Sequence, residues 1–181
     1  STLFPYTTLF RSALAAAGVP LIVNDDALVC KLSGAAGVHI GLGDGSIRAA
    51  GKLLGSDKII GATAHNLDEA LAAQAAGADY IGVGAAFGSK SKGNAVRLAN
   101  LKAYRDITSA VDIPVIAIGG INAGNVGELA GLGLSGIAVI SAIFGSRDIA
   151  ASAHELRAAA QALTSSPCAE DNSEEGTETD G

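Results

Sequence analysis

The residues with the clearest chemical capacity are two aspartates, Asp25 and Asp44. Each lies just beyond a short apolar run, PLIVN (20–24) and GVHIG (37–41). If those runs are neighbouring strands, the two carboxylates project from adjacent strand ends. Such a pair suits Mg2+, which takes one or two protein carboxylates and fills its octahedron with water and phosphate oxygens. The same residues admit a purely structural reading, in which Asp25 or Asp26 caps a following helix and Asp44 belongs to a GDG turn. A second cluster, Ser89-Lys90-Ser91-Lys92-Gly93, joins hydroxyls to ammonium groups. It suits a phosphate or diphosphate oxyanion, and equally a solvated loop. Gly119-Gly120 and Ile140-Ser141 end two further apolar runs. Glycine lets backbone N–H groups approach a phosphate closely, although it also serves close packing. His65 reads either as a residue of a helix cap or as an acid/base group. His39 reads as a core or supporting residue, His154 as surface, and Cys30, with no paired base in the sequence, as structural.

These residues need elements to hold them. Six apolar runs recur: Pro20–Asn24, Gly37–Gly41, Lys58–Thr63, Asp79–Gly84, Ile113–Gly119 and Gly136–Ser141. They are rich in Val and Ile and lack polar alternation, as parallel strands buried on both faces do. Helix-length segments lie between them. Asn66–Ala76 opens with a capping residue followed three positions later by Glu69 and closes at Gly77, the pattern of a capping box with a left-handed stop. Segments 100–111, 124–132 and 148–163 read similarly. The echoes GAAGVHIG (34–41), GADYIGVG (77–84) and GLSGIAVI (133–140) place a Gly stop just before a strand. The pattern predicts an α/β fold, a (β/α)8 TIM barrel with about six βα units present and the first two missing, because eight such units need roughly 200 residues. An open doubly wound sheet stays open as the alternative on pattern alone. In either fold the chemistry belongs at the C-terminal ends of the strands, where Asn24, Thr63 and the clusters above all fall.

The composition narrows the function. Hydrophobic residues make up 49% of the 181, with no Met or Trp, so the core is aliphatic and closely packed. Six of the 18 acids lie in residues 165–181, leaving a body with twelve acids against twelve bases. That neutrality argues against a nucleic-acid binder, which would show a basic excess or stripe. No apolar run reaches the ~18 residues of a membrane helix, and two cysteines are too few for a disulfide scaffold or a zinc site. A cytoplasmic enzyme acting on small molecules is the expectation, with a homo-oligomer left open. Residues 1–12, STLFPYTTLFRS, differ from the rest in composition and resemble the translation of a sequencing adapter; they are set aside as non-native. Residues 13–164 read as the partial barrel domain and 165–181 as a disordered acidic tail.

From Gly18 to Leu163 the segments PLIVNDD, GVHIGLGD, LLGSDKIIGATAHNLDEALAAQAAGADYIGVGAAFGSKSKGNA, IPVIAIGGINAGNV and GIAVISAIF together resemble the thiamine-phosphate synthases, a family of (β/α)8 barrels. The resemblance implies a Mg2+-dependent transfer of a hydroxymethylpyrimidine group from its diphosphate to a thiazole phosphate. It implies Mg2+ on Asp25 and Asp44, and the leaving diphosphate on Asn24, Thr63, Ser89, Ser91 and Lys92, with Lys92 as the catalytic cation. Gly120 and the Ile140–Ser141 amides would hold the thiazole phosphate. Three departures stand out. Leu42 replaces a Gln that serves pyrimidine binding in the family, Asp26 stands where Arg is frequent, and the family's basic second strand would precede Ala13. Two alternatives accompany this reading: a thiazole tautomerase of the same fold, with His65 as its acid/base group, and an inactive phosphate-binding fragment.

Overall fold

The computed structural model describes residues 3–88 and 101–165. Within them six strands form one sheet: β1 (Ile22–Asn24), β2 (Gly37–Ile40), β3 (Ile59–Ala64), β4 (Tyr80–Gly84), β5 (Val115–Ile118) and β6 (Gly136–Ala138). Each strand pairs in parallel with the next, in the order of the chain. A doubly wound sheet reverses its order at a switch point. A sheet that advances one strand at a time in one direction is the wall of a TIM-type barrel, which decides between the two folds the pattern admits.

Helices alternate with the strands: α1 (Leu3–Ala16), α2 (Ala27–Ser33), α3 (Ile47–Leu54), α4 (Leu67–Ala76), α5 (Lys102–Ala110), α6 (Ser141–Phe144) and α7 (Ile149–Ser165). Their ends follow local chemistry. Asp26, Ser46 and Asn66 cap α2, α3 and α4 by accepting from the amides of Val29, Ala49 and Glu69. Gly34 and Gly77 stop α2 and α4 in the left-handed conformation, at φ 67° and 95°. A Cβ would resist that geometry. The cap and the stop expected for Asn66–Ala76 are both present, with Glu69 accepting from the His65 N–H and the Asn66 side-chain amide.

The pleat separates two environments. Val38, Ile40, Ile60, Ala62, Ile81, Val83, Val115 and Ala117 point to the helices and form the core with Tyr104, Ile107, Leu129 and Leu163. Ile81, Val83 and Ala117 are fully buried. The opposite, inner face carries Asn24, His39, Ile59, Thr63, Tyr80, Ile116 and Ile118, and none of these is fully buried. The apolar runs therefore contain two populations that the absence of polar alternation conceals.

Three elements differ from expectation. Residues 3–16, whose first part falls in the segment set aside as non-native, residues 1–12, form a helix that packs on α2; the Ala-rich stretch from Ala13 favours propagation. Segment 124–132 is only a single 3-10 turn, Val126–Leu129, because Gly124, Gly127 and Gly131 each weaken an α-helix. Finally, β6 ends at Ala138 and not at Ser141, because Ile140 leaves the extended region (φ −120°, ψ −73°) and opens α6. Among the described residues no helix is long and apolar enough to cross a membrane.

Candidate active site

Because all six strands are parallel, their C-terminal ends share one rim, and every predicted site residue within the described range lies on it or just beneath it. Asn24 is the exposed last residue of β1, and its carbonyl accepts from Asp26 N–H at 2.9 Å. Asp25 follows in the left-handed region at φ 68°, a conformation tolerated best by Asn and Asp, while its N–H donates to the His39 carbonyl at 2.8 Å. Asp44 closes a turn at the end of β2, its N–H donating to the Gly41 carbonyl at 3.1 Å. The two side chains meet over Gly41. A Cβ built on that glycine would collide with Asp44 Oδ2 and stand 3.7 Å from Asp25 Oδ1. Both aspartates line one cavity of about 470 Å3, with Asp26, Ser46 and Leu53. Helix capping belongs to Asp26, whose Oδ1 accepts from Val29 N–H at 2.9 Å.

This donor set fits a hard divalent cation. Among the described residues no cluster of three His, Cys, Asp or Glu side chains gathers, so a tetrahedral zinc-type cage is not built here. Two carboxylates facing one point, beside a cavity roomy enough for a ligand, match the partial protein coordination of Mg2+.

A second cavity of about 210 Å3, between the ends of β2 and β3 and helices α3 and α4, shares Ile40 and Gly45 with the first and adds Leu42, Thr63 and Glu69. Thr63, near the end of β3, bonds His39 Nε2 through Oγ1 at 2.9 Å, and His39 Nδ1 bonds Tyr80 Oη at 3.0 Å. Tyr80 is a residue the sequence reasoning missed. Its one signal is Gly61 on the intervening strand, where a Cβ would collide with the Tyr80 ring. Burial pushes the Tyr80 phenol above its usual range.

His65 belongs to a cap. Its backbone N–H donates to Glu69 Oε2 at 2.7 Å and its ring Nδ1 lies 3.2 Å from the same oxygen. Burial raises the Glu69 pKa, but hydrogen bonds from His65 and Asn66 outweigh it and hold the carboxyl below its usual range. Cys30 is fully buried, and burial raises its thiol pKa, against a smaller opposing effect of Lys58. Its structural reading suits that environment.

At the far end of the rim, Gly119 and Gly120 turn with φ 93° and 69°. The Gly120 carbonyl accepts from Asn122 Nδ2 at 3.3 Å and Asn125 Nδ2 at 3.0 Å. A Cβ on Gly120 would strike the Gly88 carbonyl, so the turn is packed onto the segment that follows β4. Phe87 N–H also donates to the Gly119 carbonyl at 3.1 Å. Ile140 is exposed, and Ser141 opens α6. Ser89, Ser91 and Lys92 lie outside the described residues.

Comparison with known proteins gives a consistent result. A family model described as thiamine monophosphate synthase matches residues 5–143. The thiamine-phosphate synthase of Chloroflexus aurantiacus is 46% identical over 142 residues, covering 78% of this chain and 65% of that protein. The thiamine-phosphate synthase of Ruminiclostridium cellulolyticum is 44% identical over 138 residues, covering 76% and 65%. The chain thus spans about two thirds of the length of the relatives it matches. Among solved structures, a thiamine phosphate pyrophosphorylase from Pyrococcus furiosus superposes with a TM-score of 0.82 at 34% identity, over 90% of this chain and 77% of that one. A 3-hexulose-6-phosphate synthase, at TM-score 0.62 and 18% identity, shares the fold alone.

Proposed function

The chain belongs to the thiamine monophosphate synthase family, and from that premise we propose that it carries the active site of a transferase that joins a hydroxymethylpyrimidine, supplied as its diphosphate, to a thiazole phosphate. The products are thiamine phosphate and diphosphate. The observation that carries this reading is the convergence of Asp25 and Asp44 over Gly41, on the same rim as Thr63, Gly120 and Ser141.

The chemistry asked of the site is mainly electrostatic. The bond between the pyrimidine CH2 and the diphosphate oxygen breaks as the ring amino group stabilises the cation left behind, and the thiazole nitrogen then bonds to that carbon. No protein nucleophile is needed. Charge accumulates on the leaving diphosphate. Mg2+, held by Asp25 and Asp44, would supply Lewis-acid neutralisation of that charge. Asn24 and Thr63 donate to the diphosphate from the ends of β1 and β3, and Ser89, Ser91 and the Lys92 ammonium complete the anion site. Gly120 and the Ile140–Ser141 amides hold the thiazole phosphate at the other end of the rim, which keeps the nitrogen in line with the carbon. In this reading residues 13–164 do the chemistry, while the N-terminal dodecamer and the acidic tail take no part.

The test is a diphosphate-release assay on the chain with both substrates and Mg2+. Release that ceases on adding EDTA is expected. Absence of release, or thiamine phosphate formed equally well by Asp44→Ala, would overturn the assignment.

A further inference from the structure

The inner face of the sheet carries a polar chain that the hydrophobic core does not use. His39 on β2, Thr63 on β3 and Tyr80 on β4 sit on three adjacent strands and belong to neither core cluster. The His39 ring bridges the other two, with Nε2 2.9 Å from Thr63 Oγ1 and Nδ1 3.0 Å from Tyr80 Oη. Its ring centroid lies 5.5 Å from that of Tyr80. Glycines make the room. The Tyr80 ring crosses β3 over Gly61, and a Cβ on Gly82 would stand 3.2 Å from His39 Cε1. Strand glycines weaken a sheet unless something approaches closely; here it is this chain of side chains.

A hydroxyl can donate or accept, but one that meets an anionic oxygen must donate. Neutral imidazole donates from one nitrogen and accepts at the other. If Tyr80 O–H donates to Nδ1, then Nε2 carries the proton and donates to Thr63 Oγ1, which leaves the Thr63 O–H directed away from His39. With the opposite tautomer the Thr63 proton is consumed by Nε2. We propose, resting on the reading of Thr63 as a diphosphate contact, that His39 and Tyr80 are positioning residues: Tyr80 selects the Nε2–H tautomer of His39, and His39 orients the Thr63 hydroxyl so that its proton faces the anion on the rim. Burial, which keeps the Tyr80 phenol protonated and able to donate, is consistent with this polarity.

Two measurements on the full chain test it. Long-range 15N–1H NMR of His39 reads the tautomer directly, without any ligand. Nε2–H is expected in the parent chain and a mixed or inverted tautomer in Tyr80→Phe; an Nδ1–H parent would overturn the proposal. Calorimetric titration with pyrophosphate and Mg2+ reads the coupling. Thr63→Val should weaken binding about fivefold to tenfold, and Tyr80→Phe about threefold to fivefold in the parent, with no further effect in the Thr63→Val background. His39→Gln, whose amide can still donate to Thr63, should recover most of the affinity that His39→Leu loses. If Thr63→Val binds pyrophosphate like the parent, or the parent binds none, the diphosphate reading itself falls and takes this proposal with it. If Thr63→Val weakens binding but Tyr80→Phe weakens it equally in both backgrounds, only the positioning role is refuted.

Discussion

Replacing Gly41 by Ala separates the proposed metal site from the fold. The added methyl would occupy the place of Asp44 Oδ2, while Asp25 Oδ1, at 3.7 Å, stays in ordinary contact distance. Gly41 is not in the left-handed region, so its backbone accepts alanine without strain. Gly→Ala at such a position adds about 0.4–1 kcal/mol by restricting the unfolded chain. The displaced atom is the tip of a short exposed side chain, which can rotate away, so net stability should stay within about 0.5 kcal/mol of the parent. The proposed metal site fares differently. One of two carboxylates is turned from the shared point, and losing a charge-assisted ligand contact of about 1.5–3 kcal/mol lowers affinity roughly tenfold to a hundredfold. Thermal unfolding without metal should therefore be nearly unchanged, while calorimetric titration of Mg2+ in the presence of pyrophosphate should show the loss. A Gly41→Ala chain that binds Mg2+ like its parent would refute the convergence of Asp25 and Asp44 as a metal site. A chain destabilised by more than about 2 kcal/mol would refute the claim that only a side chain gives way.

Other outcomes follow from neighbouring residues. Asn66→Ala removes the cap of α4 and should cost about 1 kcal/mol in denaturant unfolding. The Glu69 carboxyl has a lowered folded-state pKa, so its contribution is complete above the unfolded value and disappears as pH falls through the folded one; Glu69→Gln should flatten stability between about pH 5 and pH 3, checked by melts across that range. Tyr104→Phe leaves the Val83 carbonyl without the hydroxyl that donates to it at 2.7 Å. It should lower stability by about 1–2 kcal/mol in urea without changing Mg2+ affinity. Lys92→Ala should reduce turnover at least about tenfold in the diphosphate-release assay, and unchanged turnover would remove Lys92 from the proposed anion site.

Much of the architecture is a local property of the chain. Val/Ile runs of four to seven residues have few alternatives to a parallel strand, so all six strands were legible. Gly34 and Gly77 marked helix stops because only glycine adopts their backbone angles cheaply, and Asn66 with Glu69 marked a helix start because their side chains satisfy amides a few residues away. Asp25 and Asp44 could be singled out from their place after two such runs. The errors were also local in origin. Glycines inside segment 124–132 weakened a helix that its apolar content suggested, and the unusual composition of residues 1–12 concealed most of a helix, Leu3–Ala16, that packs on α2.

The tertiary structure decided what depends on neighbours distant in sequence. Strand order could not be read from runs that look alike, and only the pairing of each with its successor distinguishes a barrel wall from a doubly wound sheet. Which of two adjacent aspartates caps α2 and which turns toward Asp44 depends on the left-handed backbone of Asp25 and the space above Gly41. The His39–Thr63–Tyr80 chain spans 41 residues of sequence and exists because the register sets Gly61 beneath the Tyr80 ring. Residue types announce what chemistry a chain can perform locally; which groups share a site is settled by strand register and by the side of the pleat each occupies, because those are properties of the assembled sheet and of no single segment.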